Sequence, residues 1–548
     1  MLKDVKDSRL SVNNGSDNWD DEADMIVVGF GGAGACAAIE AADRGSSVLV
    51  VERFNGGGAT RRSGGVVYAG GGTPYQEEAG FNDTPDNMFN YLEIEVQDVL
   101  SKETLRSFCE GSCDDLSWLE AQGVRFGSSM CPTKTSYPPD QCYLYYSGNE
   151  TVPSYSRHAT PAPRGHRAWG KGLTGNALFQ PLKESARKKG VRIRYSCKAK
   201  RLIVGENGNV IGLEFSYLPW YDPRALIHRV IGYGAYQLRN ILMIVPGSNN
   251  ILKILFRLLE LGGRTTRVRA RQGVILAAGG FVFNRRMMER YAPAYIGGVP
   301  LGTIADDGSG IELGRSVGGA TAYMDRISAW RFITPPEILI KGIMVDSQGV
   351  RICNEQLYGA KLGECMVEQH GGKAKLIIDA EIWNRARRSI GGDKTSFFQT
   401  LLALVNLYIN RKKAKSIEKL AQRCGIPADN LRDTVETYNK FTRGEKEDPL
   451  GKAPQYLQPI ASPPYFAIDC SLKNSLSPCA MLSLGGLVVN EESGEVKRED
   501  GSVIDGLYAA GRNAVGIPSR GYVSGLAIAD CVFSARRAAA HAAMKDKK

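Results

Sequence analysis

The sequence has 548 residues, a formal net charge of +11, and 43% hydrophobic and 23% charged residues. This length exceeds what one hydrophobic core organises, which excludes a small binding module and predicts two domains, and the composition excludes a disordered protein. Glycine is frequent, at 63 residues against 24 prolines. This balance indicates backbone packed closely against a large ligand rather than flexible linkers.

The N-terminal residues and the cysteines indicate the compartment. Residues 1–22 are predicted to form a polar tail with no basic start and apolar core, so no secretory signal is expected. Twelve cysteines are scattered, and the closest pair, Cys109 and Cys113, has no second pair at metal-ligand spacing. We therefore expect a cytoplasmic protein without a metal site, and without a nucleic-acid partner because the positive charge is local.

The next segment predicts a dinucleotide-binding unit. A hydrophobic strand at residues 25–28 leads into a G-x-G-x-x-G segment and an alanine-rich helix, and a strand at residues 47–51 ends at Glu52. In this context the glycines permit close approach of pyrophosphate to a helix N-terminus, and the acid accepts hydrogen bonds from a ribose. The predicted cofactor residues of this unit are Gly29, Gly31, Ala33, Gly34 and Glu52.

A second glycine tract favours a flavin over a nicotinamide. Residues 56–65 and 70–73 are glycine-rich, and an extended FAD continues from its pyrophosphate along such backbone, whereas a nicotinamide dinucleotide needs no second tract. Two later strands, at 273–280 and 506–511, end in small residues, which predicts a discontinuous flavin domain. These segments add the predicted cofactor residues Gly58, Ala59, Thr60, Ser63, Gly64, Gly65, Ala278, Gly279, Gly511 and Arg512.

The excess positive charge is concentrated in one segment. Between Arg224 and Arg271 there are nine basic residues and one acid, Glu260. A helix start at Asp222, a break at 246–248 after which Ser248 caps a second helix, and apolar residues at i, i+3, i+4 spacing predict a helical hairpin at residues 218–264. Two interpretations are open: residues 222–262 make a peripheral contact with a membrane, or they pack on the protein's own surface or in a dimer.

Taken in order, these motifs resemble the FAD-dependent fumarate reductase and 3-ketosteroid dehydrogenase family. Asp307-Gly308-Ser309-Gly310 and residues 349–355 add to the resemblance, which covers residues 23–540 apart from the hairpin. It implies an α/β, Rossmann-like flavin domain (residues 23–325 and 456–548) and an inserted α+β cap (residues 326–455) that clamps the substrate. It further implies noncovalent FAD, because no histidine lies near Thr60, and it adds Asp307 and Leu526 to the cofactor residues.

Within this family, two segments resemble the 3-oxosteroid Δ4-(5α)-dehydrogenases. Gly359 stands where a fumarate reductase needs a proton-donating arginine, Tyr358 precedes it, and residues 521–525 read Gly-Tyr-x-Ser-Gly instead of the Tyr-Pro-Gly motif of Δ1-dehydrogenases. The resemblance implies that Tyr522 hydrogen-bonds the ketone and Tyr358 accepts the C4 proton. Ser524 then relays that proton or contacts the flavin.

Several alternatives stay open at this stage. The aromatic run at residues 137–155 is either a wall for a flat ligand or a packed loop, and Arg520 either binds a substrate carboxylate or, as we favour, forms a salt bridge with the cap. The predicted enzyme removes hydrogens at C4 and C5 of a 3-oxo-5α-steroid. The alternatives are the same site run as a 5α-reductase, a Δ1-dehydrogenase and, as a protein that is not an enzyme, a membrane-associated steroid-binding flavoprotein. No heme or iron–sulfur motif identifies the electron acceptor. If the hairpin binds lipid, the expected location is the inner face of the membrane.

Overall fold

The computed structural model describes residues 18–132, 134–238, 247–390 and 397–545. Residues 1–17 of the predicted tail lie outside this part, and Asp21 and Glu22, also predicted as tail, belong to the first strand, Asp21–Val28. Residues 239–246 of the predicted hairpin likewise lie outside the described residues.

An eight-stranded mixed sheet forms the centre of the flavin domain. Its first strand, Asp21–Val28, is flanked in parallel by Val48–Val51 and by the long strand Arg264–Leu276. Val503–Ala509 adds in parallel to the far side of that long strand, so the domain is discontinuous in sequence, as predicted. The remaining strands are Arg192–Arg194, Glu495–Lys497, and the pair Cys197–Val204 and Val210–Tyr217.

Small and β-branched residues allow the strands and helices at the centre of the flavin domain to be buried and closely packed. All four residues of Val48–Val51 are buried, as expected for a parallel strand covered on both faces. The helix Gly32–Asp43 is almost entirely buried, and the C-terminal helix Leu526–Ala543 packs alongside it. Because both helices are rich in alanine, their backbones approach closely. This packing fixes the N-terminus of Gly32–Asp43 beside the carboxyl ends of the strands.

Further elements surround this sheet. The other helices of the flavin domain are Gly58–Arg62, Pro74–Glu78, Pro85–Val96, Lys102–Glu110, Ser112–Ala121, Pro153–Ser156, Gly175–Lys188, Pro223–Gln237, Ser248–Glu260, Arg285–Tyr291 and Ser309–Arg315. Two three-stranded sheets comprise Val66–Tyr68, Leu144–Tyr145 and Gly165–Arg167, and Val299–Pro300, Ile327–Trp330 and Ala480–Ser483; Thr321–Ala322 pairs with Gly486–Leu487.

The cap is built on a four-stranded antiparallel sheet. Its strands are Ile343–Val345, Lys375–Ile378, Tyr465–Asp469 and Arg411–Ala414, in that spatial order. The sheet extends beyond residue 455, the boundary expected from the sequence, because Tyr465–Asp469 pairs with Lys375–Ile378. Its helices are Gly359–Glu364, a π-helical turn Cys365–Gln369, Ala380–Ser389, Phe397–Tyr408, Ile417–Cys424 and Ala428–Thr442.

The basic segment folds as two helices, Pro223–Gln237 and Ser248–Glu260. The Asp222 side chain caps the first helix, as predicted, but Ser248 does not cap the second. Gly247 occupies that cap position with φ +80°, a conformation that favours glycine. None of the described helices is both long and apolar enough to cross a bilayer.

Candidate active site and cofactor cradle

The turn after the first strand leaves no room for side chains at two of its glycines. Gly29 has φ +97°, and a Cβ there would lie 2.6 Å from the Ala277 carbonyl oxygen. A Cβ at Gly34 would lie 2.0 Å from the Gly29 oxygen. Gly31 differs, because its added Cβ would meet only the Gly57 oxygen, at 3.9 Å. Of the three glycines of the G-x-G-x-x-G motif, Gly29 and Gly34 are therefore needed for close packing of the turn, and Gly31 borders open space.

That open space is lined by backbone on both sides. A Cβ at Gly58 would meet only the Gly31 Cα, at the ordinary contact distance of 3.5 Å, so the second glycine segment packs beside the first at the edge of this gap. Ala33 lies in the first turn of Gly32–Asp43, and the Thr60 hydroxyl accepts a hydrogen bond from the Gly32 amide at 3.1 Å. Such a gap beside a helix N-terminus suits a pyrophosphate.

Glu52 lies where the sequence places the ribose acceptor, directly after Val48–Val51. Its carboxylate is buried and accepts hydrogen bonds from the amides of Phe30 and Phe54, both at 2.7 Å. Burial raises the pKa of Glu52, and those amide bonds oppose the rise. The acid thus braces the glycine turn against the following loop.

The second tract lies between two loops. A Cβ at Gly64 would meet the Tyr137 ring at 2.4 Å, and one at Gly65 would meet the Thr174 backbone at 2.5 Å. The Ser63 hydroxyl donates to the Thr60 oxygen at 2.8 Å. On the opposite side, Ala59 lies 3.5 Å from a Cβ built at Gly302. The tract is therefore held in one conformation by its neighbours.

The third segment brings strand ends from distant parts of the sequence together. The Ala278 amide donates to the Asn513 side-chain oxygen, and a Cβ at Gly511 would lie 2.9 Å from the Ala33 Cβ. Leu526 is buried as the first residue of the C-terminal helix. These contacts join predicted cofactor residues of the N-terminal and C-terminal segments.

Two buried side-chain nitrogens in this segment have no hydrogen-bond partner among the described residues. They are Arg512 Nη1 and Asn513 Nδ2. Buried donors are ordinarily satisfied, so an unmet pair next to Ala278 and Gly280 indicates a polar ligand. Together with the gap at Gly31, these donors fit a dinucleotide such as FAD.

The described ranges contain no cluster of His, Cys, Asp and Glu side chains that could hold a metal ion.

The structure separates two neighbouring aspartates. Asp306, which sequence reasoning missed, is buried and pairs with Arg512, and its Oδ1 lies 2.7 Å from a Cβ built at Gly279. Asp307, the predicted cofactor residue, instead pairs with Arg53 at 3.0 Å. The sequence Asp306-Asp307 alone does not indicate which of the two carboxylates is buried beside Arg512.

The two predicted catalytic tyrosines lie in one apolar cluster. Tyr358 directly precedes the cap helix Gly359–Glu364, and Tyr522 lies just before the C-terminal helix. The Tyr522 ring stacks on Trp330 with centroids 5.6 Å apart, and Phe332 meets the Tyr358 ring edge-on at 5.4 Å. Leu482 and Leu484 complete the cluster. The structure therefore brings together two phenols that are 164 positions apart in the sequence.

Ser524 links these phenols to a third tyrosine. The Tyr145 hydroxyl donates to the Ser524 hydroxyl at 2.9 Å, and Ser524 lies close enough to Tyr358 to lower the pKa of that phenol. Tyr145 belongs to the predicted aromatic run, but its role was missed. By contrast, the rings of Tyr137 and Tyr143 pack against the Arg167 guanidinium, which supports the packed-loop interpretation for that part of the run.

Burial dominates the acid–base properties of the phenols. It raises the pKa of Tyr358 far above the usual value, the neighbouring phenols of Tyr522 and Tyr145 add to the rise, and the Ser524 hydrogen bond opposes it. Burial also raises the pKa of Tyr522, against the positive charge of Arg512 and a hydrogen bond with the Gly525 backbone. Both phenols are therefore neutral at ordinary pH and can donate hydrogen bonds.

One buried segment, residues 145–150, supports both tyrosine loops. The Asn149 side-chain oxygen accepts from the Tyr358 amide at 2.6 Å, and its amide nitrogen donates to Glu95 at 3.0 Å. The Ser147 carbonyl accepts from the Ser524 amide at 3.0 Å. Asn149 is fully buried. The cap loop and the C-terminal loop are thus positioned by a common support.

A narrow cleft opens beside Tyr522. Its charged lining residues are Glu95, Arg326, Lys361, Glu364, Glu368 and Arg520. Arg520 forms an ion pair, as favoured, but with Asp98 rather than with the cap. The reason is close packing: a Cβ at Gly521 would lie 1.8 Å from the Glu95 oxygen, so Arg520 lies against the end of Pro85–Val96.

Comparisons with known proteins show the family of this chain. Residues 24–523 match the family described as FAD binding domain. The chain is 41% identical over 507 residues to a 3-oxo-5-alpha-steroid 4-dehydrogenase from Comamonas testosteroni, with 90% of this chain and 93% of that protein covered. It is 26% identical to a 3-oxosteroid 1-dehydrogenase from Mycolicibacterium smegmatis, covering 89% of this chain and 91% of that protein.

A solved structure shows the same similarity. The crystal structure of 3-ketosteroid-delta4-(5alpha)-dehydrogenase from Rhodococcus jostii RHA1, in complex with 4-androstene-3,17-dione, superposes with a TM-score of 0.81 at 32% identity. The match covers 97% of this chain and 99% of that one. The predicted fold class is confirmed, and so is the predicted FAD cofactor.

Proposed function

This chain belongs to the FAD binding domain family, and on that premise we propose that it is an FAD-dependent dehydrogenase that converts a 3-oxo-5α-steroid to the 4-ene-3-one. The observation that carries the proposal is the pair of buried phenols, Tyr358 and Tyr522, in one apolar cluster with Ser524 within hydrogen-bonding reach. The similarity to a 3-oxo-5-alpha-steroid 4-dehydrogenase over nearly the whole chain supports it.

FAD, when bound, accepts the hydride that leaves C5 of the steroid. Gly31, Gly58, Arg512 and Asn513 are the residues that would hold it, without a covalent link. The protein must then bind the ketone and accept the proton that leaves C4 as the C4=C5 bond forms. No other redox group is needed for this half-reaction.

Tyr522 is the proposed donor to the 3-oxo group. A neutral, buried phenol donates a hydrogen bond that strengthens as negative charge builds on the ketone oxygen during loss of the α-proton. Its stacking on Trp330 fixes the ring and therefore the direction of the hydroxyl. The same rings give a flat apolar wall suited to a polycyclic substrate and exclude water.

Tyr358 is the proposed proton acceptor. Because its pKa is raised, the Tyr358 hydroxyl is protonated before the reaction. It can therefore accept the C4 proton only if it transfers its own proton to another group at the same time. Ser524, which is partly exposed, passes that proton on to water, and the hydrogen bond from Tyr145 positions its hydroxyl. Asn149 is a positioning residue in this scheme, because it holds the Tyr358 backbone.

Anaerobic mixing of the FAD-loaded protein with a saturated 3-oxo-5α-steroid tests the activity. We expect bleaching of the flavin absorbance and a 4-ene-3-one as the product. A 1-ene product would assign the chain to Δ1-dehydrogenation, and no bleaching would leave a steroid-binding flavoprotein. Oxidation of the reduced flavin by a 4-ene-3-one would measure the reverse, 5α-reducing direction.

We also propose a peripheral contact between the hairpin and a membrane. Large apolar side chains on its outer surface are exposed, among them Trp220 at 86%, Ile251 at 69% and Leu226 at 67%. The hairpin stripe is the set of apolar residues at helical spacing in the second helix, namely Ile251, Ile254, Leu255, Leu258 and Leu259. Three of these five, Ile251, Ile254 and Leu258, face solvent instead of the protein. An exposed apolar surface of this kind in an amphipathic hairpin suits a lipid interface.

The positive charge on this surface is smaller than the sequence suggests. Arg267 and Arg271, outside the hairpin, pair with acidic residues on neighbouring strands, whereas Arg229, Arg257 and Arg264 are exposed. The combination favours an anionic bilayer over a second protein copy. Sedimentation with phosphatidylglycerol vesicles should carry the protein down, more weakly at high salt. Equal recovery with and without vesicles would contradict the contact.

A further inference from the structure

We propose that the inner faces of the two hairpin helices, Pro223–Gln237 and Ser248–Glu260, form a clasp that holds the cofactor loop, residues 52–62, in its FAD-binding conformation. This inference rests on FAD binding but not on the steroid chemistry. The loop begins at Glu52, contains the glycines that border the gap, and ends in Gly58–Arg62. The hairpin contacts it near both ends.

The strongest contact is an ion pair at the start of the loop. The Arg53 guanidinium donates to both carboxylate oxygens of Glu260, at 2.7 and 2.9 Å. Such a two-point contact fixes the direction of the arginine as well as its distance. Lys198 and His228 also lie near Glu260, at 3.5 and 3.6 Å. Burial alone would raise the pKa of Glu260, but the neighbouring His228 and the hydrogen-bonded Arg53 lower it to about 2, so the acid stays charged.

The next two loop residues are also bound by the hairpin. The Phe54 ring meets Phe256 edge-on at 4.9 Å and stacks with the ring of His228 at 5.7 Å, and both partners are buried. The Asn55 side chain donates to the Arg229 carbonyl at 2.9 Å. Both hairpin helices therefore contribute to this end of the loop.

The far end of the loop is bound by the first hairpin helix. The Arg61 guanidinium lies over the Tyr236 ring, 3.9 Å from its centroid, within the range of a cation–π interaction. Arg61 directly follows Thr60, whose hydroxyl accepts from the Gly32 amide. An open groove of about 420 Å³ is lined by Asn55 of the loop, by Tyr233 of the helix Pro223–Gln237 and by Tyr195. The glycines between the fixed ends gain their conformation from this arrangement.

The test compares FAD release from Glu260→Gln and from wild type, loaded with FAD. Release is followed by the recovery of flavin fluorescence after dilution, without any steroid. Loss of the charged pair frees Arg53 and the loop, and we expect release at least about tenfold faster. Glu381→Gln, which alters an exposed glutamate on a cap helix, is the matched control and should release FAD at the wild-type rate.

Thermal unfolding of the same variants separates a clasp from general destabilisation. A clasp predicts that Glu260→Gln reduces the gain in Tm on adding FAD, whereas a general defect lowers the Tm with and without FAD equally. Should Glu260→Gln fail to fold, Tyr236→Leu removes the contact with Arg61 and should speed release about threefold. Wild-type release rates in the folded variants would overturn the clasp and leave the dehydrogenase proposal intact.

Discussion

The phenol cluster and the hairpin use the same kinds of side chain in opposite ways. Around Tyr358 and Tyr522, aromatic and leucine side chains are buried against one another. In the hairpin, Trp220, Tyr233 and Ile251 are more than half exposed. An apolar pattern in a sequence therefore identifies a surface that contacts something, but not whether that partner is the protein, a substrate or a lipid.

Substitution of the proposed base has the largest expected effect on the buried region. Tyr358→Phe removes the hydroxyl that accepts the C4 proton but keeps the ring contact with Phe332, and flavin bleaching should slow by about 10²–10⁴-fold. Vesicle binding should not change. Tyr408→Phe, an exposed tyrosine of the cap, is the control. A bleaching rate within twofold of wild type would remove Tyr358 from the chemistry.

Tyr522→Phe should slow the same step somewhat less, by about 10²–10³-fold, because it removes one hydrogen-bond donor to the ketone oxygen. Stacking on Trp330 is retained, so FAD should stay bound, as judged by the flavin-to-protein absorbance ratio. If the variant instead lost its flavin, the phenol would serve the fold rather than the reaction.

Gly31→Ala tests the cofactor gap directly. A methyl group there meets no atom of the protein closer than 3.9 Å, so the apoprotein should fold normally, while the methyl occupies space assigned to pyrophosphate. We expect FAD affinity to fall about tenfold or more by fluorescence titration. Gly45→Ala, at a position with nothing nearby, carries its own φ +79° strain but should leave the affinity unchanged.

These residues also show how far the sequence leads. The turn at Gly29, the acid Glu52 and the two tyrosines could be predicted, because motif and spacing fix local structure and the resemblance supplies the order of segments. Asp306, Asn513 and Tyr145 could not, because each is selected by long-range contacts: Asp306 by Arg512, Asn513 by Ala278, and Tyr145 by Ser524. The exposure of the hairpin stripe likewise depends on which face the rest of the fold covers.

In the exposed hairpin, we expect polar substitutions to change vesicle binding and not flavin bleaching. Replacing Ile251 and Ile254 by serine removes apolar surface from the outer face, and vesicle affinity should fall at least about tenfold, since each fully buried CH₂ contributes about 0.8 kcal/mol. Bleaching by dissolved steroid should stay as in wild type. Deleting the whole segment is a poorer experiment, because it also removes Glu260 from the cofactor loop. Unchanged vesicle affinity would contradict the lipid contact.

The smallest effect is expected at the border of the cleft. Arg520→Ala breaks an ion pair with Asp98, which is largely exposed, and such pairs contribute at most about 1 kcal/mol. Turnover of a neutral 3-oxosteroid should change by less than about twofold in a steady-state assay. A large loss would show that the guanidinium takes part in the reaction.

The order of strands in the central sheet has a consequence for biosynthesis. The strand Val503–Ala509 and the donors of Arg512 and Asn513 complete the flavin domain, yet a ribosome adds them only after the whole cap. A nascent chain that has emerged only as far as the cap lacks one wall of the dinucleotide site. FAD can therefore bind only after these segments have been translated. Until then the central sheet lacks a strand, and the exposed edge of the nascent chain must be kept from aggregating.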